Sequence, residues 1–258
     1  MTTQIQHELK GRIYNYFTEL QFQRIGHKYT INGRQLTSVT NLVKSFIPVV
    51  DWNSVAYMIA PHKGTTGKKL IKDWKYERDI SVIRGNNTHN FGELLGKGCR
   101  KPETNQEKAL IKFWTTVDKH RYIRVAREVR MYHKALFFCG TCDFVLYDTW
   151  TRTFIIGDYK TNKDIFKQYG SKRLLYPFDF LLDRPFEHYE IQLSLYSILL
   201  GQLGIPISER WIVWLMDDEK CKQKRLPLAS YKLYKTPDHS SICLGWLHQK
   251  NNFYYNEQ

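Results

Sequence analysis

GTCDFVLYDTWTRTFIIGDYKT, residues 140–161, decides the fold of this chain. It spans most of two runs rich in branched and aromatic residues, ALFFCGTCDFVLYD (135–148) and TRTFIIGDYK (151–160), with a short break between them. Together with RYIRVAREVRMY, residues 121–132, the pattern predicts three consecutive strands, read as antiparallel. Asp143 falls inside one strand; Asp158 and Lys160 end the next, two residues apart, so their side chains leave the same face. If those strands pair, all three groups converge at one end of the sheet.

Working outward, TNQEKALIKFWTTVDKH opens with Thr104 and Glu107 at capping-box spacing. It continues with Leu110, Phe113, Trp114 and Val117 on one helical face. HYEIQLSLYSILLGQLG reads as a helix ending at Gly204, ERWIVWLMD as a further strand and SYKLYKTP as a weaker one. KDIFKQYGSKRLLYPFDFLLDRPF, between them, is a long mixed connection with room for one short helix. The order gives an α/β (α+β) fold, a central mixed sheet flanked by helices.

Towards the N-terminus, HKYTINGRQLTSV predicts a hairpin turning at Asn32-Gly33. Ser38 then caps a short helix through Leu42, Val43 and Phe46. TTGKKLIKDWKYERD reads as solvated basic surface, and IRGNNTHNFGELLGKG as a turn leading into a helix that carries His89 and Glu93. Residues 1–84 form an elaboration packed on a core of residues 85–258, the whole making one structural domain.

Hydrophobic residues make up 42% of the 258 and charged residues 25%, which excludes a disordered chain, a collagen and a coiled-coil rod. The longest apolar stretch, near Ile191–Leu203, is broken by Gln192, Ser194, Ser197 and Gln202, so no bilayer span is expected. MTTQIQHELKGR lacks the apolar run of a secretory signal, giving a cytoplasmic expectation. A net charge of +14 and 15% aromatics point to a polyanionic partner, with cations for phosphates and rings for unpaired bases. The alternative is a basic protein kept soluble by its charge. Five cysteines, an odd number, argue against a disulfide framework; Cys139 and Cys142 form one CxxC, read as buried strand thiols and not as a zinc site.

Two carboxylates and a lysine make chemical sense around a hard divalent metal, where the lysine orients or activates a water for attack on a phosphodiester. The plain alternative is a strand end with a surface ion pair. The ordered set goes further. Gly140 to Asp143 give G-x-x-D, Asp158-Tyr159-Lys160-Thr161 give D-x-K-T after an apolar strand, Gln192 and Tyr196 give Q-x-x-x-Y, and His89 follows Gly85 upstream. This set resembles the PD-(D/E)XK nuclease superfamily in its RecB-like exonuclease branch, over about residues 85 to 200. That branch includes the RecB nuclease domain, CRISPR adaptation nucleases and the mitochondrial genome maintenance exonuclease. SVTNLVKSF and PFDFLLDRPFEHYEIQLSLY are similar to stretches of stand-alone phage exonucleases.

The resemblance implies a restriction-endonuclease-like core. It makes His89, Asp143, Asp158 and the backbone carbonyl of Tyr159 metal ligands, with Glu128 as a further acidic group near the metal. Lys160 becomes the catalytic lysine, and Gln192 and Tyr196, four apart on one helical face, position the DNA backbone. Two local alternatives stay open: His89 paired with Glu93, and Glu128 paired with Arg127 or Arg130. Mg²⁺ or Mn²⁺ is the implied cofactor. No iron–sulfur cluster is expected, because only Cys221 and Cys243 lie near the C-terminus. GTTGKKL is too short for a Walker A motif, so no fused helicase motor is expected. The implied function is DNA hydrolysis, with single strands or DNA ends favoured, in processing, recombination or repair. Its unnamed protein partners would belong to replication or recombination. A structure- or sequence-specific endonuclease on the same core, or a catalytically silent DNA-binding protein, are the other readings.

Overall fold

A computed structural model describes residues 2–256 except 24, 25, 27, 97, 99 and 169, with side chains described from residue 3 to residue 250. In chain order the elements are α1 (Thr2–Tyr16), β1 (Gln21–Gln23), β2 (Lys28–Ile31), β3 (Arg34–Gln35), β4 (Thr37–Ser38), α2 (Val39–Ser45) and α3 (Trp52–Ile59). There follow α4 (Gly67–Leu94), α5 (Asn105–Thr116), β5 (Tyr122–His133), β6 (Phe138–Asp148), β7 (Thr153–Lys160) and α6 (Pro185–Gly201). The chain finishes with β8 (Ile207–Leu215), α7 (Asp218–Gln223), β9 (Tyr231–Lys235) and α8 (Ser240–Asn256).

The main sheet is mixed and flanked by helices, the architecture expected from the sequence. Strands β5, β6 and β7 form the antiparallel meander; β7 pairs β8 in parallel, and β9 closes that edge antiparallel. Parallel pairing of β7 with β8 needs a crossover, and residues 161–206, with α6, supply it. One face of the sheet packs on α6, α2 and α8 through Val145, Phe154, Ile156, Leu195 and Leu199. The other packs on α5 and the end of α4 through Phe91, Leu110, Phe113, Phe144 and Ile155. Helix α6 is buried nearly all round, as a helix between a sheet and a second helix must be.

The local signals hold at several points. Thr104 and Glu107 form the capping box of α5, and the Ser38 side chain accepts from the Asn41 N–H at the start of α2. Asn32 and Gly33, with φ of 49° and 76°, make the hairpin turn, although His27 at its start lies outside the described residues. The returning strand is short because Thr37 and Ser38 leave the hairpin and pair in parallel with Phe138 and Cys139.

Two expectations are corrected. No turn precedes His89: residues 67–94 form one 28-residue helix, capped by the Thr66 side chain, in which Gly85, Asn86 and Asn87 are helical. Weak helix formers there are carried by packing at both ends. Leu70 packs with Ala56 and Ala60, and Phe91 joins the cluster under the sheet. The division drawn at residues 84 and 85 therefore falls within a continuous helix. The connection from residue 162 to 184 contains no helix among the described residues; it is a series of turns held by a bridge between Arg173 and Leu182. α6 also starts earlier than its apolar pattern suggests, at Pro185, whose fixed φ suits a first helical position. The helices α1 and α8 carry no strong signal in the sequence, and each packs one face on the core.

Candidate active site at the split of the sheet

β6 is flanked by β5 along its length, but its other edge is shared. β7 pairs it from Asp148 back to Phe144, opposite Gly157, and β4 takes over at Cys139. Between these the strands part, and the next residues in line are Asp143 on β6 and Asp158 on β7. Asp143 spans the gap: its Oδ2 accepts the backbone N–H of Tyr159 at 2.6 Å. Its Oδ1 lies 2.7 Å from His89 Nδ1, which α4 delivers from outside the sheet. On the far side Arg127 pairs Phe144 and Val129 pairs Cys142, so Glu128 stands across from Asp143 without pairing, at φ 46°. A left-handed glutamate in a strand is uncommon, and here it turns the carboxylate toward the cluster. One donor atom each from His89, Glu128 and Asp143 lies within 4.8 Å of the others.

Asp158 and Lys160 do share a face and form a buried ion pair. Lys160 Nζ also donates to Gln192 Oε1 at 3.0 Å and sits 4.1 Å from the centre of the Tyr189 ring. Gln192 Nε2 in turn donates to the Tyr196 hydroxyl at 2.8 Å. The glycine of G-x-x-D has a role in this. A Cβ on Gly140 would lie 2.5 Å from Tyr196 Cε1 and 2.9 Å from Val39 Cγ2, so the bare backbone lets the ring of Q-x-x-x-Y settle against β6.

Three carboxylates share this buried corner with one lysine and one histidine. Burial drives Glu128 up to about 10, and repulsion from Asp143 adds to it. Burial would also raise Asp143, but His89, the Tyr159 N–H and Lys160 hold it below the ordinary carboxylate value. Burial and Asp143 raise Asp158 against the pull of Lys160. Burial disfavours charge on Lys160, yet Asp158 and its other neighbours keep it above the ordinary lysine value. His89, similarly, is raised by Asp143 and Asp158 in spite of its burial.

The site residues named from the sequence thus fall into two adjoining groups. His89, Glu128 and Asp143 meet as potential ligands; Asp158, Lys160, Gln192 and Tyr196 form a hydrogen-bonded and ionic chain beside them. Asp158 is not one of the three mutually close donors, but its Oδ2 is buried with an ion-pair contact and no hydrogen bond, leaving lone pairs to spare. The side chain of Tyr159 points away, into the core cluster with Phe113 and Phe144. His89 pairs with Asp143 and not with Glu93, and Glu128 meets carboxylates and not an arginine. Cys139 and Cys142 are buried free thiols in β6, and Cys99 lies outside the described residues.

Sequence reasoning passed over Tyr189 and Asn162. The Tyr189 hydroxyl donates to Asn162 Oδ1 at 2.6 Å and fixes the ring against Lys160. Tyr189, Gln192 and Tyr196 follow the spacing of one helical face, which was the available signal. The donor set of hard oxygens and one imidazole fits a small divalent cation, and the crowding of Glu128 against Asp143 is what such a cation would relieve. No family model matches the chain, and no curated protein is significantly similar to it.

Proposed function

We propose that this chain is a Mg²⁺- or Mn²⁺-dependent DNA exonuclease with a PD-(D/E)XK active site. The observation that carries the reading is the meeting of the His89, Glu128 and Asp143 donors with the Asp158–Lys160 pair where β6 and β7 part. A fold can host many activities, so the argument rests on this constellation and not on the sheet.

His89, Glu128, Asp143 and Asp158 would hold the metal, with the Tyr159 carbonyl as a further ligand. The cation supplies Lewis-acid polarisation of the scissile phosphate and a water of lowered pKa. Lys160 orients the attacking water and offsets the negative charge that builds on the phosphorus oxygens in the transition state. Gln192 and Tyr189 fix its ammonium, so little reorganisation remains at the moment of reaction. Gln192 and Tyr196 border the path of the DNA backbone. The α3–α4 pair carries exposed Trp52, Tyr57 and Tyr76 among Lys68, Lys69, Lys72 and Lys75, a combination suited to stacking bases and screening phosphates.

End-labelled linear and closed circular DNA, single- and double-stranded, test the proposal with Mg²⁺, Mn²⁺ or EDTA. Linear single strands are degraded with metal, circles survive, and EDTA stops the reaction. Undiminished cleavage in EDTA removes the metal mechanism, and rapid loss of circular single strands transfers the assignment to an endonuclease.

A further inference from the structure

Among the described residues β5 pairs with β6 alone, so its outer edge presents backbone groups that no strand takes up. Helix α1 lies along that edge, with Ile13 and Phe17 sunk in the main core cluster. Two of its side chains bond to the edge backbone. Gln6 Nε2 donates to the Arg124 carbonyl at 2.7 Å. The Tyr14 hydroxyl donates to the Arg127 carbonyl at 2.8 Å and accepts the Arg127 N–H in a longer bond of 3.4 Å. One phenol thus stands where a neighbouring strand would offer both an N–H and a C=O.

The place matters because Arg127 directly precedes Glu128. The Arg127 carbonyl and the Glu128 N–H belong to one planar peptide unit, so a bond that fixes the carbonyl fixes the plane from which the Glu128 φ is measured. That φ is 46°, a left-handed value that a glutamate in a strand adopts only where its surroundings impose it. The carboxylate gains nothing by arriving, since burial and repulsion from Asp143 push its pKa up to about 10. Room to retreat is also at hand. Glu128 and Tyr14 border one cavity of about 520 Å³ between α1 and β5, which Lys10 and Glu93 also line. Crowding by side chains therefore does not by itself keep the carboxylate beside Asp143; the backbone has to.

We infer that Tyr14 is a positioning residue for the cation site: through the Arg127 peptide its hydroxyl holds Glu128 in the left-handed conformation that brings the carboxylate to His89 and Asp143. The inference rests on the reading of those three residues as metal ligands, and it does not require that the metal serve DNA cleavage.

Mn²⁺ binding is measured calorimetrically on the full chain without DNA. The proteins are the wild type, Tyr14→Phe, Gln6→Ala, Glu128→Gln, and Tyr14→Phe combined with Glu128→Gln. Phenylalanine keeps the ring of this 41% exposed residue and removes only the hydroxyl. Tyr14→Phe weakens Mn²⁺ by about tenfold, the lower end of the loss when a group that orients a metal ligand is removed. Gln6→Ala cuts the other bond of α1 to the same edge and leaves the affinity close to that of the wild type. In the Glu128→Gln background the hydroxyl has little left to position, so Tyr14→Phe adds little there. A general loosening of the fold would instead give the same loss in both backgrounds. Equal Mn²⁺ affinity of wild type and Tyr14→Phe overturns the inference, as does an undiminished further loss in the combined variant or an equal loss from Gln6→Ala. A wild type that takes up no Mn²⁺ overturns the metal reading and the inference with it. A chain that binds Mn²⁺ with the expected pattern of losses but cuts no DNA gives up the nuclease assignment and keeps the inference.

Discussion

Replacing Lys160 by methionine keeps an aliphatic stem beside Tyr189 and removes a single charge. The side chains of Lys160 and Asp158 are 12% and 4% exposed, so the pair is a buried one. Removing one partner from a buried pair costs about 3–5 kcal/mol. Asp158 limits that loss by taking up a proton: at pH 7, three units above the carboxyl reference, the cost is ~4 kcal/mol at ~1.36 per unit. The proton is supplied more cheaply in acid, so the stability deficit of Lys160→Met is largest near neutrality and shrinks toward pH 4. Under the proposed nuclease function Lys160 meets the reacting groups mainly in the transition state, so turnover should respond differently. Single-turnover cleavage falls about a hundredfold or more, while equilibrium DNA binding stays close to wild type, since one cation of 39 is removed. Urea unfolding at pH 7 and pH 5, single-turnover kinetics and a binding isotherm separate the effects. A variant that cuts DNA at the normal rate would falsify the catalytic role and leave Asp158 and Lys160 as a structural pair.

Gly140→Ala drives a methyl into the Tyr196 ring, costing about 1–3 kcal/mol as an overpacked site does, and it slows turnover by displacing the Gln192–Lys160 chain; unchanged kinetics in a folded variant contradicts that link. Glu128→Gln removes both a donor and a carboxylate crowded against Asp143, so the metal-free protein becomes more resistant to urea while the Mn²⁺ needed for half-maximal cleavage rises by about tenfold or more. Glu107 is buried, but bonds from Arg100 and the Glu103 and Thr104 N–H groups keep its folded pKa below the unfolded value. Its stabilisation is therefore complete above the unfolded pKa and is lost as pH falls through the folded one. Glu107→Gln lowers stability by ~1–3 kcal/mol at pH 7, and thermal melts of variant and wild type converge in acid; a gap that widens as pH falls reverses the sign.

How much of this was legible in the sequence depends on what each element rests upon. The meander β5–β7 announces itself through runs of branched and aromatic residues such as Ile155 and Ile156, which suit strands buried on both faces, and helix α5 through Leu110 and Phe113 recurring at helical spacing. The long α4 does not, since most of its first two-thirds faces solvent and its middle contains Gly85, Asn86 and Asn87; tertiary packing of Leu70 and Phe91 decides it. Asp143, Asp158 and Lys160 are legible because the two-residue period fixes the face on which they emerge. Glu128 is not readable from any periodicity, because its direction comes from a positive φ opposite an unpaired Asp143.

The unbroken run of α4 also restricts how the length of this chain can vary. A residue added or removed in an α-helix turns everything beyond it by ~100° and shifts it by ~1.5 Å. His89, Phe91 and Gly92 are clamped at one end, so a single deletion between Tyr76 and Arg84 would swing Tyr76 and the lysines before it around the helix axis relative to that end. Insertions that preserve phase come in steps of about seven or eleven residues. Shorter ones keep the phase of α4 when they fall in the connection that joins α3 to α4, residues 60–66, outside the helix itself.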